Sequence, residues 1–288
     1  MNRTITLIIL IILNFAAAAA LAQNKAEILV GYDYCQPAVS GKTKTRKMSL
    51  LASTAEAKYF NHISQWVDSL KSSPGGEAKY EEIIEKTCMT VEPDGSVLWD
   101  LSKGPNKDVY TYIFTNPAEE SLTVYDKYGE DLGMYTEPMS EIQWDVKEDS
   151  TTNVLGYECI MAEANYHGRH WKAWFTPEVP MPYGPWKLHG LPGLILKAEA
   201  DSGFSFMATG IESADCDIQP MYFVNDYVPV NRKKALANSE YYENHRESIM
   251  NAQGIRVKMY MVDDDGNQVE IPKYDGLIHD LEPDYKMK

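Results

Sequence analysis

The sequence predicts an α+β fold that is mainly antiparallel β: a large curved sheet or half-barrel with two or three helices packed on it. Three observations carry this expectation. Short β-rich runs separated by Asx, Gly and Pro clusters recur from Ser96 onward, the pattern of an antiparallel meander. Helical periodicity is confined to three stretches, near 53–72, 78–88 and 231–251. Hydrophobic residues make up 44% of the chain and aromatics 11%, enough for a sizeable core and far from a disordered composition.

The elements follow in order. Residues 1–22, MNRTITLIILIILNFAAAAALA, carry Arg3 as their only charge, an apolar run and a small-residue A-x-A end, so they read as a secretory signal peptide. No Cys follows the site directly, which argues against a lipoprotein. No later apolar run approaches the 18 or so residues a membrane helix needs, so the remaining chain, 23–288, is expected to be one soluble β-rich domain. Ala26 to Tyr34 and Lys47 to Ala52 look like strands. Ser53 with Glu56 reads as a capping box opening a helix, with Ala57, Phe60, Ile63, Val67 and Leu70 at helical spacing and Pro74-Gly75-Gly76 as its stop.

A second helix is expected at Ala78 to Cys88. Strands are then expected at Val97 to Leu101, Val109 to Thr115, Leu122 to Tyr125, Glu141 to Val146, Gly156 to Ala164, Arg169 to Thr176, Leu194 to Ala200, Phe204 to Ile211 and Tyr222 to Val230. Asn231 to Asn251 reads as a charged surface helix. A final hairpin joins Ile255–Val262 to Val269–Ile271 through Asp263-Asp264-Asp265-Gly266-Asn267, where Gly266 is wrongly placed for a calcium loop of the EF-hand kind and a plain turn suffices. Met259 and Met261 read first as a buried strand face.

Charge narrows function. Against 27 Lys and Arg stand 42 Asp and Glu, a net of -15 that becomes -16 once Arg3 is removed. The basic stretches Lys42–Lys47 and Arg232–Lys234 are too short for the phosphate neutralisation that nucleic-acid binding requires, and anionic membrane surfaces are disfavoured too. Four cysteines, Cys35, Cys88, Cys159 and Cys216, in an exported chain suggest structural disulfides, with three pairings open. No spacing suits a zinc knuckle.

The segment 176–194, TPEVPMPYGPWKLHGLPGL, holds five of the fifteen prolines and three glycines. No helix or central strand tolerates that density, so it is a rigid extended loop. It either packs across the sheet and closes the core, or forms a preformed groove wall with Tyr183 and Trp186 as anchors. Gly190 and Gly193 are expected to hold geometries or close contacts barred to side chains. Trp171 and Phe175 should face one side of their strand and Trp174 the other.

Gly190-Leu191-Pro192-Gly193-Leu194-Ile195, preceded by Gly184-Pro185-Trp186-Lys187, resembles the signature of the GLPGLI family of exported proteins from Gram-negative cell envelopes. Trp144, Leu155-Gly156-Tyr157-Glu158-Cys159, Ala162, Gly168-Arg169 and Ala173-Trp174-Phe175-Thr176-Pro177-Glu178-Val179-Pro180 stand in that family's order, so the likeness spans about 144–200, with a looser one at Ala52 to Asn61. The resemblance implies an exported envelope protein of mainly β structure and brings no catalytic residues with it. The order of elements is also similar to the curved open sheet of periplasmic lipoprotein carriers of the LolA type, as an analogy of fold alone.

The residues give no catalytic motif: no H-E-x-x-H, G-x-S-x-G, P-loop or dinucleotide fingerprint occurs. No cofactor is expected. His167 and His170 flank a tight turn with His189 nearby, a weak metal candidate. The leading expectation is therefore a non-enzymatic periplasmic or envelope protein. It would bind an apolar or extended ligand, or a small peptide, or dock to an outer-membrane or periplasmic partner, through Trp174, Tyr183, Trp186, Leu191 and Pro192. A hydrolase whose carboxylate or His site assembles only in three dimensions, and a metal-handling protein, are the alternatives.

Overall fold

The chain alternates in and out over enough short segments to build a sheet of twelve strands. The computed structural model describes residues 25–100, 103–140, 142–218, 221–262 and 267–287; the signal-peptide reading and the 263–266 turn lie outside them. The strands are β1 (Ile28–Pro37), β2 (Thr43–Ala52), β3 (Ala57–Phe60), β4 (Met89–Val91), β5 (Val97–Trp99), β6 (Tyr112–Asn116), β7 (Ser121–Tyr128), β8 (Asp131–Pro138), β9 (Asp145–Val154), β10 (Tyr157–Tyr166), β11 (Arg169–Thr176), β12 (Leu194–Ala200), β13 (Ser205–Ser213), β14 (Val228–Pro229), β15 (Met261–Val262) and β16 (Gln268–Val269). The helices are α1 (His62–Ser72), α2 (Gly76–Cys88), α3 (Arg232–Ala252) and the single turn α4 (Gly276–His279). The fold is mostly antiparallel β, a large open sheet with few helices. Its order is β14-β8-β7-β6-β3-β2-β1-β13-β12-β11-β10-β9, with β4–β5 and β15–β16 as separate hairpins. Among the described residues only the short β14–β8 pairing is parallel.

The sheet curls strongly. β8 and β10 are nine strand steps apart in it, about 43 Å if flat at roughly 4.8 Å per step. Yet Glu137, on β8, and His167, in the turn after β10, stand 3.4 Å apart. The two margins must therefore come round to face each other, and right-handed strand twist supplies the sense of coiling. Inside the curl lies one continuous core running from Tyr135 on β8 through Val30, Leu50, Ile113, Trp171 and Phe206 to Val154 on β9.

The Pro-rich segment fills part of that interior. Met181, Tyr183, Trp186, Leu188 and Leu191 are all buried in the same core, so the loop closes the core rather than presenting anchors to solvent. It is tied to its surroundings by backbone bonds from Leu194 N to Val179 O and from Ile195 N to Tyr183 O, each 3.0 Å. The Tyr32 hydroxyl donates to Ile195 O at 2.7 Å, and the Trp144 indole donates to His189 O at 2.9 Å. As expected, Trp171 and Phe175 face the core. Trp174 lies on the opposite side of β11, its ring under the Lys197 ammonium at 4.2 Å. The bulge beside it takes its extra residue from β12, so the alternation of β11 survives.

The outer face carries a smaller cluster of Ala26, Leu51, Phe60, Tyr112 and Ile218, and α1 approaches β2. Here the structure corrects the reading of 53–72. Ser53 to Glu56 is a turn, Ala57–Phe60 is strand β3, and the helix begins only at His62, capped by Asn61 Oδ1 accepting from Ser64 N at 2.9 Å. β3 pairs on both sides, with β2 and β6, and two ladders outweigh a capping box. Nor is the buried helix face the expected one. Ile63 and Trp66 are exposed, while Ser64, Val67 and Asp68 are buried. Asp68 binds the Lys107 ammonium at 2.6 Å and the Tyr112 hydroxyl at 2.8 Å, which satisfies its charge.

Other differences have local causes. β8 was not expected because Gly133 interrupts its apolar alternation; an added Cβ there would meet Tyr128 at 2.8 Å and Val230 at 3.0 Å. The polar edge strand β9 runs to Val154, farther than its composition suggests, as edge strands carrying charge do. Tyr222 to Val230 is mostly turn, with Phe223 in the left-handed region at φ 56° and a 3₁₀ turn at Val224–Asp226 before the two residues of β14. Met259 and Met261 are half-buried rather than buried.

The disulfide expectation is corrected: all four cysteines are free. Cys159 on β10 and Cys35 on β1 are separated by β11, β12 and β13, while a bridge needs Cα atoms within about 7 Å. Cys88 is buried at the end of α2 and Cys216 is exposed after β13.

Both signature glycines behave as expected. Gly190 has φ 89°. A Cβ on Gly193 would overlap the carbonyl of Thr176, because the loop returns to the sheet in direct backbone contact with the end of β11. Gly193→Ala is expected to lower unfolding free energy by roughly 2–4 kcal/mol and Gly190→Ala by about 1 kcal/mol. Denaturant unfolding of both variants measures the two costs.

Candidate functional site

Two features occupy the interior of the curl: a knot of buried charges and, beside it, an open cleft. The knot begins with Lys187, which follows Trp186 in the Pro-rich loop. Its side chain is wholly inaccessible; its ammonium donates to the Tyr135 hydroxyl at 2.9 Å and forms ion pairs with Glu137 Oε1 at 2.7 Å and Glu282 Oε1 at 2.8 Å. Arg232, the first residue of α3, donates from Nε to Glu282 Oε2 at 2.6 Å. It also forks onto Asp284 through Nη1 at 2.9 Å and Nη2 at 2.6 Å.

His167 completes the set. It and Gly168 are the two central residues of the β10–β11 hairpin, at φ 48° and 82°, the double left-handed geometry of a two-residue turn. Its Nδ1 lies 2.9 Å from Arg232 Nη2 and its Nε2 faces Glu137 Oε1. Burial alone would depress the His167 pKa, but hydrogen bonding to Asp284 and Glu137 and the charge of Glu282 raise it instead. For Glu137, burial pushes up while His167 and Lys187 pull down harder, leaving it at about 2. Glu282 and Asp284 are likewise held below the ordinary carboxylate range against burial, by Lys187 and Arg232 for the first and by His167 and Arg232 for the second.

His167, Glu282 and Asp284 could by distance hold a metal ion. The donor set does not fit one, because the Arg232 guanidinium already lies within hydrogen-bond reach of all three. His170, the other member of the expected pair, is not part of this group: it sits on β11 with Nδ1 3.2 Å from Asn165 Oδ1 and Nε2 3.9 Å from Glu163. His189 is buried between the carbonyls of Lys187 and Ser140, at 2.8 and 3.2 Å, and its pKa is lowered by that burial. The three histidines thus do separate structural work.

Trp186 connects knot and cleft. Its backbone is left-handed at φ 56°, a strain on the order of 1–3 kcal/mol for a bulky residue. Rings on three sides hold it there: Tyr166 at 5.8 Å, His167 at 5.7 Å and Trp171 at 5.7 Å between centroids. One side of its own ring faces the cleft.

The cleft has a volume of about 770 Å³, within the range of small-molecule sites. Its floor is the inner face of β1, β2, β3, β6, β7, β8 and β13, with Met48, Tyr59, Ile113, Val124 and Phe206, and Trp186 from the Pro-rich loop. Its far wall is α3, with Leu236, Ser239 and Tyr242, and the C-terminal segment from Tyr274 to Glu282. Tyr59 is only 3% exposed, and its hydroxyl, like Arg46 Nε, has no hydrogen-bond partner. Asp126 also lines the cleft; burial raises its pKa to about 6, although Thr111 Oγ1 and Lys127 N donate to it at 2.6 and 2.7 Å. Asp280 is raised too, by burial, despite hydrogen bonds from Tyr274 and Tyr285.

Of the residues the sequence singled out for binding, Tyr183, Trp186 and Leu191 are buried, Pro192 is exposed, and Trp174 faces away from the core side of β11. Only Trp186 reaches the cleft. Pro185 opens the turn that carries Trp186, its carbonyl accepting from Leu188 N at 3.2 Å, and an added Cβ at Gly184 would meet Ile195 at 2.9 Å. The cleft residues were missed because they come from seven strands, a helix and the C-terminal segment, far apart in sequence. The inward alternation of Met48, Ile113 and Val124 was the available signal.

A family model described as a protein of unknown function, Porph_ging, matches residues 163–197, the stretch from β10 through the Pro-rich loop to β12. No curated protein matches the chain. Similar solved structures include PNGF-II in two crystal forms. One has 11% identity over 75% of this chain and 33% of that one, with a TM-score of 0.47; the other has 12% identity over 66% and 29%, with 0.43. The chain thus spans a third or less of the length of those proteins. A putative outer membrane lipoprotein-sorting protein domain from Vibrio parahaemolyticus is similar at 8% identity over 76% of this chain and 96% of that one, with a TM-score of 0.22. Among the described residues no helix is long and apolar enough to cross a membrane.

The knot makes stability depend on pH in a defined sense. Glu137 has a folded pKa of about 2, below its ordinary 4.5, so its contribution is complete above pH 4.5 and is lost as pH falls toward 2. Glu137→Gln is expected to cost roughly 3–5 kcal/mol at pH 6, as removal of one partner from a buried pair does. The gap from wild type should shrink steadily below pH 4.5, as followed by urea unfolding at a series of pH values.

Proposed function

We propose that this is an exported, non-enzymatic binding protein of the Gram-negative cell envelope. It would act in the periplasm after residues 1–22 are removed, as a single β-rich domain that takes an elongated, largely apolar ligand in the interior cleft. The observation that carries the reading is the cleft itself: about 770 Å³, with an aromatic and aliphatic floor beside charged and polar groups and a buried tyrosine hydroxyl left unpartnered on that floor. A buried polar group without a partner costs roughly 1–3 kcal/mol, a cost that a ligand acceptor would offset. The sequence resemblance and the short family match support the envelope assignment. The Pro-rich loop enters this reading as a fixed inner wall, held by the charge knot, rather than as the contact surface first expected of it.

Ser239, half-buried on the α3 side of the cleft, offers a way to fill it from outside the core. Ser239→Trp is expected to weaken binding of an environment-sensitive apolar dye at least tenfold while leaving the melting temperature within a few degrees of wild type. Unchanged dye binding would put the apolar site elsewhere.

One observation favours a second reading. A carboxyl at about 6, with a hydroxyl donating to it, in a cleft is what a hydrolase would use for acid–base work. That reading requires a turnover rate that changes through pH 6 and is lost in Asp126→Asn. The binding reading expects Asp126→Asn to hold apolar ligands within twofold of wild type, and hydrolytic screens to show no Asp126-dependent rate.

A further inference from the structure

The distribution of charge in the cleft identifies one end of its ligand. On the β1–β2 side, Lys44 and Arg46 share a single carboxylate: Asp108 Oδ2 lies 3.4 Å from Lys44 Nζ and 3.6 Å from Arg46 Nε. In this corner of the cleft two cations, Lys44 and Arg46, stand side by side on one strand. Arg46 is further constrained. Its Nη1 donates to Gln36 Oε1 at 2.5 Å, which fixes the guanidinium, while its buried Nε–H has no acceptor. Tyr59, buried to 97% by its 3% exposure, lines the same cleft and also has an unused hydroxyl. Tyr34 on β1, paired across from Arg46, lines the same cleft.

Elsewhere in the cleft the carboxylates and Arg246 have hydrogen-bond partners. Arg246 donates to Glu243 at 2.9 Å, Asp126 accepts from Thr111 and Lys127 N, Asp280 accepts from Tyr274 and Tyr285, and Glu282 belongs to the knot. From the Arg46 corner the floor continues over Met48, Ile113, Val124, Phe206 and Trp186, a surface without charge.

We propose that the cleft binds a single-chain carboxylate amphiphile, with its head on Arg46 and the Tyr59 hydroxyl and its chain along the Met48–Trp186 floor. A planar carboxylate can take an Arg Nε–H together with a neighbouring donor, and the chain supplies the apolar burial. The inference rests on the cleft reading above and adds the chemistry of the head.

The test uses the full chain, titrated with laurate and with its neutral counterpart dodecanamide, in wild type, Arg46→Gln, Tyr59→Phe and Ser239→Trp. Laurate should bind wild type at least tenfold more tightly than the amide. Arg46→Gln should remove that difference while binding the amide within twofold of wild type, which also shows that the variant is folded. Tyr59→Phe should weaken laurate by a smaller factor, about threefold to tenfold, and Ser239→Trp should weaken both ligands. Equal affinity of wild type for laurate and amide, with both lost in Ser239→Trp, would overturn the head assignment and leave the cleft reading standing. Binding of neither ligand, or of both without effect from Ser239→Trp, would overturn the two together.

Discussion

An ammonium group with no access to water sits where five separate parts of the chain meet, and their arrangement depends on it. Lys187 belongs to the Pro-rich loop, Glu137 to β8, Glu282 and Asp284 to the C-terminal segment, Arg232 to the start of α3 and His167 to the β10–β11 turn. A buried, unpaired lysine would cost several kcal/mol. Here it is stable only because two carboxylates and a tyrosine oxygen stand around it, and those carboxylates are in place only because Arg232 and His167 face their other sides. Each member of the set fixes a different element, so together they hold the margins of the curled sheet face to face across its open side.

That closure shapes the space beside it. An untethered sheet of twelve strands would expose the inner aromatic face; drawn round at β8 and β10, it leaves a cleft between floor and α3 while the Pro-rich loop fills the remainder. Proline makes the loop stiff, and Gly190 and Gly193 let it turn and touch the sheet backbone. The strained Trp186 backbone is supported by three rings. A rigid filler of this kind sets the cleft wall before any ligand arrives, which lowers the ordering cost of binding.

Much of the fold was legible. β11 and β12 have the boundaries their alternation predicts, α3 begins one residue after its Asn231 cap, and the roles of Gly190 and Gly193 follow from their spacing around Pro192. The misreadings share a cause. At 57–60 the same apolar residues fit a helix and a strand, and only pairing with β2 and β6 chose the strand. In β8 and β9 a glycine and a run of charged residues hid the period. Cysteine count suggested bridges, but strand order keeps Cys35 and Cys159 apart. For the Pro-rich segment core closure and groove wall both stayed open, because large, closely spaced aromatics such as Tyr183 and Trp186 suit either; the structure buries both.

What the sequence by itself determined is local: β-rich class, rigid loop, two obligatory glycines, an acidic composition. These follow from backbone geometry and side-chain type, which act over a few residues. Tertiary structure alone decided which charges are buried together and which residues line the cleft. Lys187 and Glu282 are 95 positions apart in the sequence, and Met48, Ile113 and Trp186 are scattered over 139. No local pattern links them, because the curl of the sheet is the sum of many small strand twists and its closure depends on charge pairs that form only once the strands are in order.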